Sequence, residues 1–159
     1  WPQALRNLGL VLNSQKKGDE ALEVWKAAAA ASPTDTEVRM MLAEHYLQAK
    51  QWPEAVTVYR EVVRVNPKDP VAWTNLGYAL DRLDRMPEAL AAYQKALAFN
   101  PKYPLAYNNL GAAQEKLGRM EAAKQSYRKA LALKPDYQDA RRNLDRLTSA
   151  GTTPPPKTP

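Results

Sequence analysis

Apolar and small residues recur along this chain at a fixed interval. Leu8, Leu42, Leu76, Leu110 and Leu144 form one column, and the residue after each of the first four is always small: Gly9, Ala43, Gly77 and Gly111. Ala21, Ala55, Ala89 and Ala123 form another, each followed four residues later by an aromatic: Trp25, Tyr59, Tyr93 and Tyr127. Ala28, Val62, Ala96 and Ala130 come next, and Pro33, Pro67, Pro101 and Pro135 close the units. The prolines are 34 residues apart each time, and a fixed period of this size signals a solenoid.

Each period predicts two helices. The leucine and the small residue share one face of a first helix, over roughly 3–16, 36–49, 70–84 and 104–117, and the alanine and aromatic share one face of a second. Small residues where two helices cross let the axes approach to the short end of the ~8–10 Å range, with the aromatic filling the space beside the crossing. That accounts for an apparent fault in "WTNLGYALDRL", Trp73 to Leu83, where Asn75 and Gly77 cost roughly 0.5 and 1 kcal/mol of helix propensity. Gly77 trades propensity for close packing, and "YNNLGAAQEKL", from Tyr107, repeats the bargain. Proline stops the second helix by forcing the preceding residue out of helical geometry, and Asn66 and Asn100 suit such an end.

"DYQDARRNLDRL" reads as one further helix, about 137–149. Ala140, Leu144 and Leu147 make its apolar stripe, while Arg141, Arg142, Asp145 and Arg146 face elsewhere. "GTTPPPKTP" has no apolar periodicity, and residues 150–159 read as a disordered or polyproline-like tail. The expected architecture is all-α: four helix-turn-helix units at about 2–35, 36–69, 70–103 and 104–137, and a capping helix, together occupying 1–149.

Composition narrows the chemistry. The 159 residues are 45% apolar, enough for one continuous core, and contain no cysteine. Disulfides, thiolate metal sites and cysteine nucleophiles are therefore excluded. The single histidine, His45, has no second imidazole to join it and reads as a half-buried packing residue, not a metal ligand. Asp81, Asp84 and Glu88 share a surface without a phosphate-cradling glycine cluster, so neither enzyme activity nor a cofactor is expected. No apolar run approaches the ~20 residues of a membrane span, and no signal peptide is visible. The chain opens at Trp1, as a piece of a longer protein would, and its compartment is not legible. Of the net charge of +6, +4 falls between Arg119 and Ala150, where eight basic residues face four acidic ones. A solvated helical face accounts for this charge. Binding of nucleic acid is the competing reading, and the absence of aromatic interleaving among Arg141, Arg142 and Arg146 counts against it.

The pattern resembles the tetratricopeptide repeat (TPR), W-x2-L-G-x2-Y, then A-x3-F-x2-A, then P. The third unit carries Trp73, Leu76, Gly77, Leu80, Ala89, Tyr93, Ala96 and Pro101; the fourth carries Tyr107, Leu110, Gly111, Ala123, Tyr127, Ala130 and Pro135. The first carries Leu5, Leu8, Gly9, Leu12, Ala21, Trp25, Ala28 and Pro33. The second departs most, with Arg39 at the tryptophan column and Val62 at the last alanine, and in the fourth Gln114 replaces an aromatic. The resemblance implies a right-handed superhelix whose first helices line a concave groove. It places the column Asn7, Met41, Asn75, Asn109 and Asn143 on the ridge facing that groove, with Arg6, Leu10, Met40, Glu44, Tyr78 and Asn108 beside it. An asparagine amide offers two donors and an acceptor, so one per repeat is suited to grip a peptide backbone about every third residue. A similar ladder is seen in the TPR superhelix of O-GlcNAc transferases.

The basic clamp by which chaperone-binding TPR domains hold a C-terminal carboxylate is not reproduced, since Val71 and Asn75 stand where two of its residues belong. Leu10, Met40, Met41 and Tyr78 suggest an apolar patch toward the N-terminal half, where adaptable methionines suit a hydrophobic anchor. The function implied is a scaffold binding a protein or peptide segment. The alternative is a substrate-selecting region of a larger enzyme such as a glycosyltransferase. Self-association through exposed array ends is a further possibility.

Overall fold

The computed structural model describes residues 1–149 and, among them, contains nine α-helices and no strand. The tail expected at 150–159 lies outside the described residues. The first helices of the four repeats are α1 (Pro2–Ser14), α3 (Thr36–Gln48), α5 (Pro70–Arg82) and α7 (Pro104–Lys116). The second helices are α2 (Gly18–Ala31), α4 (Trp52–Val65), α6 (Met86–Phe99) and α8 (Met120–Leu133), and α9 (Gln138–Ser149) follows.

The first helices stop one or two residues short of the lengths their apolar pattern predicts. The cause is a tight turn whose third-column residue takes a left-handed backbone: φ is 62° at Lys16, 59° at Lys50, 56° at Asp84 and 72° at Gly118. Only the last has the residue that adopts this conformation without a Cβ penalty. Two first helices start on aspartate caps, Asp35 accepting from the Glu37 and Val38 amides and Asp69 from those of Val71 and Ala72, which satisfies otherwise orphan donors. The second helices end as the prolines dictate, with Ser32, Asn66, Asn100 and Lys134 at φ between −122° and −139° and ψ of 81–90°. Asn66 and Asn100 thus end their helices in extended pre-proline geometry, not in a left-handed cap.

The columns of the pattern meet in the core. Every repeat alanine and aromatic, from Ala21 with Trp25 to Ala123 with Tyr127, is buried. A Cβ added at Gly77 would lie 2.7 Å from Tyr93 Cε1, and one at Gly111 the same distance from Tyr127 Cε1. Glycine therefore makes room for the aromatic ring of its own repeat. Leu42, Leu76 and Leu110 are buried against the preceding second helix, whereas Leu8 on α1 is 47% exposed.

Two departures from the pattern are compensated. Arg39, in the tryptophan column, is only 8% exposed. Its guanidinium donates to the Ala29, Ser32 and Asp35 carbonyls and, at 2.9 Å, to Glu61. In the same column Trp73 Nε1 donates to the Pro67 carbonyl at 2.8 Å and Arg141 to that of Pro135 at 3.3 Å. Three residues of the column therefore tie α3, α5 and α9 back to the loop before each. Gln114 is matched by Ser126, whose hydroxyl donates to its Oε1 at 2.7 Å.

Consecutive first helices also touch one another, α5 on α7 and α7 on α9, and the second helices have no comparable direct packing. A stack closer on one side than the other curves, so the first helices form its inner face. α9 buries Ala140 and Leu147 against the last repeat and leaves Arg141, Arg142, Asp145 and Arg146 exposed.

Candidate functional site

The inner face is built from side chains one helical turn apart on α1, α3, α5, α7 and α9. Ion pairs bridge neighbouring first helices along it: Arg6 with Glu37, Lys116 with Asp81 at 2.6 Å, and Arg146 with Glu115. Three open clefts lie between them. One touches Leu10, Met41, Glu44 and His45; a second touches Glu37, Met40, Met41, Glu44 and Asp69; a third touches Ala112, Glu115, Lys116, Asn143 and Arg146.

The asparagine column is engaged inside the array, with capacity to spare. Asn75 Nδ2 donates to the Tyr59 hydroxyl at 3.1 Å. Asn109 Oδ1 accepts from Asn108 Nδ2 at 3.4 Å, and Asn143 Nδ2 donates to Asn108 Oδ1 at 3.2 Å. Each such amide keeps at least one donor or acceptor unused. Asn108 differs from them in burial: it is 8% exposed, with both its amino group and its carbonyl bonded to neighbouring asparagines. Asn7 is exposed, and Asn75, Asn109 and Asn143 are half-buried. Thr74, next to Asn75 on α5, is fully buried and its hydroxyl donates to the Pro70 carbonyl.

Met41 interrupts the column in the one repeat joint where the preceding aromatic is not a tyrosine. Sixteen residues before Asn75, Asn109 and Asn143 stands a tyrosine, but before Met41 it is Trp25, which has no hydroxyl and directs its indole N–H to the Arg6 carbonyl at 3.4 Å. Met40 and Met41 are half-buried and pack on the core, while Leu10 is 44% exposed. Tyr78 is exposed beside Trp52, their rings meeting edge-on at 5.9 Å, with the Arg82 guanidinium 5.6 Å over the indole. His45 packs edge-on to Trp25 at 6.0 Å. Among the described residues no group of three or more acidic or histidine side chains is placed to hold a metal ion, and no helix is long and apolar enough to cross a membrane.

The electrostatics differ from one repeat to the next. Burial raises the phenols of Tyr59, Tyr93 and Tyr127 well above their ordinary range, keeping them neutral. The Tyr127 hydroxyl donates to Glu115 at 3.1 Å, whose carboxyl is held below its usual range by the Arg146 hydrogen bond. One repeat earlier the carboxylate is Asp81, a methylene shorter, and the buried Tyr93 hydroxyl has no partner. Glu44 shows the opposite trend: burial pushes its carboxyl up.

Sequence reasoning missed the three bridges. Each joins an acid and a base 31 or 35 residues apart, a separation close to one repeat that could have revealed them. On the basic C-terminal third, Lys124 pairs with Glu121, Arg142 with Asp139 and Arg146 with Glu115.

Comparison with known proteins follows from this geometry. Family models described as tetratricopeptide repeat match residues 2–45, 40–104 and 104–137. No curated protein sequence matches significantly. Among solved structures, a crystal structure of MamA is similar over 90% of this chain and 84% of its own at 24% identity and a TM-score of 0.85. The Arabidopsis OM64 TPR domain aligns over 72% of this chain and 94% of its own at 29% identity, TM-score 0.70. The first TPR of Spaghetti (RPAP3), bound to the HSP90 peptide SRMEEVD, aligns over 74% and 94% at 29% identity, TM-score 0.71.

Proposed function

The chain belongs to the tetratricopeptide repeat family, and from that premise we propose that it is a protein-interaction scaffold holding an extended partner segment along its inner face. The observation that carries this reading is the file of half-satisfied amides along that face, Asn75, Asn109 and Asn143, set between open clefts. Unused amide donors and acceptors at intervals of one first helix match the backbone groups of an extended chain, giving affinity that tolerates sequence variation. Binding of a peptide by the similar RPAP3 domain supports the class of ligand. It does not extend to the ligand itself, because Val71 and Asn75 stand where a carboxylate clamp needs basic side chains. The glycosyltransferase alternative draws no support from the matched families.

The test is a partner pull-down followed by peptide-array mapping, repeated with Asn75→Ala and Asn109→Ala combined in a Tyr59→Phe background, which avoids stranding the phenol. Binding should weaken by more than ~1 kcal/mol with helicity intact. Wild-type affinity in that variant would end the backbone-gripping reading.

A further inference from the structure

Of the carboxylates carried by α3, α5 and α7, one is left over. Glu37 answers Arg6, Asp81 answers Lys116 and Glu115 answers Arg146, while Glu44 has no ion pair among the described residues. It stands at the junction of two clefts that share it with Met41, and the larger of them, about 450 Å³, is lined by Glu37, Met40, Met41, Glu44 and Asp69 together with Thr36 and Asn66. No lysine or arginine lines that cleft. It is a negative pocket in a protein of net charge +6.

We infer that this cleft receives a lysine or arginine side chain of the bound segment, with the aliphatic stem lying on Met40 and Met41 and the cation at Glu44. The inference rests on the proposed peptide-holding role and names the partner chemistry for one repeat of it. Three observations agree on the occupant. A bare metal ion lacks the ligand set, as noted above. An apolar side chain would cover the Glu44 carboxylate without answering its charge. Long basic side chains lay methylenes on apolar surface and project the charge beyond it, and thioethers adapt to such stems. The position is also where the amide column breaks at Met41, so side-chain selection replaces backbone grip in this repeat.

The experiment uses the chain as it stands and three labelled ten-residue peptides in which leucine alternates with lysine, glutamine or glutamate. Fluorescence anisotropy gives affinity, and the Met40 and Met41 methyl signals in NMR report the site. The lysine peptide should bind about tenfold more tightly than the glutamine peptide, and Glu44→Gln should narrow that gap to about twofold. The net charge of +6 makes non-specific attraction favour the glutamate peptide, so it cannot imitate this result. Equal lysine and glutamine affinities with the methyl signals moving would overturn the inference and leave the peptide-holding role standing. A lysine preference that survives Glu44→Gln would overturn it too. If none of the peptides moves the methyl signals, both readings fall.

Discussion

Asn75 donates its side-chain amide to the Tyr59 hydroxyl, 3.1 Å away and sixteen residues back in the chain, across the joint between the second and third repeats. The relationship gives Asn75 a purpose inside the array: it satisfies a phenol that burial would otherwise strand. Asn75→Ala should cost about 1–3 kcal/mol by orphaning that hydroxyl, and Tyr59→Phe should remove most of the penalty. A denaturant double-mutant cycle measures the coupling, and additive effects would show that the bond contributes nothing.

Asp81 and Tyr93 are the case where the satisfaction fails. Glu115 holds both Tyr127 and Arg146, but the shorter Asp81 reaches Lys116 and leaves Tyr93 unpartnered. Asp81→Glu should restore the missing acceptor and stabilise the protein by about 1 kcal/mol. Thermal unfolding of the variant checks this, with Asp81→Glu in a Tyr93→Phe background as the control that should gain nothing.

Gly77→Ala sets two effects against each other. Helix propensity favours alanine by about 1 kcal/mol, while the new Cβ would sit 2.7 Å from the Tyr93 ring. That ring is fully buried, so overpacking costs roughly 1–3 kcal/mol and should prevail. The variant should melt below wild type; a higher melting temperature would mean the ring moves freely.

Lys50 occupies a left-handed position at φ 59°, where the fourth repeat uses Gly118. Lys50→Gly should stabilise by about 0.5–1 kcal/mol, because relief of the Cβ clash outweighs the entropy glycine loses on folding. Chemical denaturation should show a raised midpoint with an unchanged slope.

Glu115 predicts the acid limb of stability. Its folded carboxyl titrates below the ordinary value of 4.5, chiefly through the Arg146 hydrogen bond. Its contribution is therefore present above about pH 4.5 and lost as the pH falls from there through the depressed folded value. Glu115→Gln should flatten the stability profile over that acid range while changing little in its slope near neutrality, as pH-dependent melts can show.

Much of this was legible in the chain itself. Repeat length, helix order, the alanine–aromatic crossings and the proline stops all follow from residues spaced by one period, because a stack of like units repeats its contacts at that spacing. The C-terminal cap was equally readable, since Ala140, Leu144 and Leu147 continue the apolar columns while charge fills the rest. The left-handed turn was less so: Lys16, Lys50 and Asp84 disguise a column in which only Gly118 advertises its backbone.

What only the tertiary structure decided is how polar groups are shared between repeats. Sequence spacing assigns Asn75, Asn108 and Asn109 to neighbouring ridge positions but cannot say that Asn108 is buried with both ends bonded to neighbouring asparagines while the others are half-buried. It cannot tell Glu44, left unpaired, from Glu115, which is held twice. Hydrophobic burial is written as a period because it depends on which face a residue occupies. Hydrogen bonds and ion pairs depend on side-chain reach to within an ångström, and in Asp81 a single methylene changes the outcome.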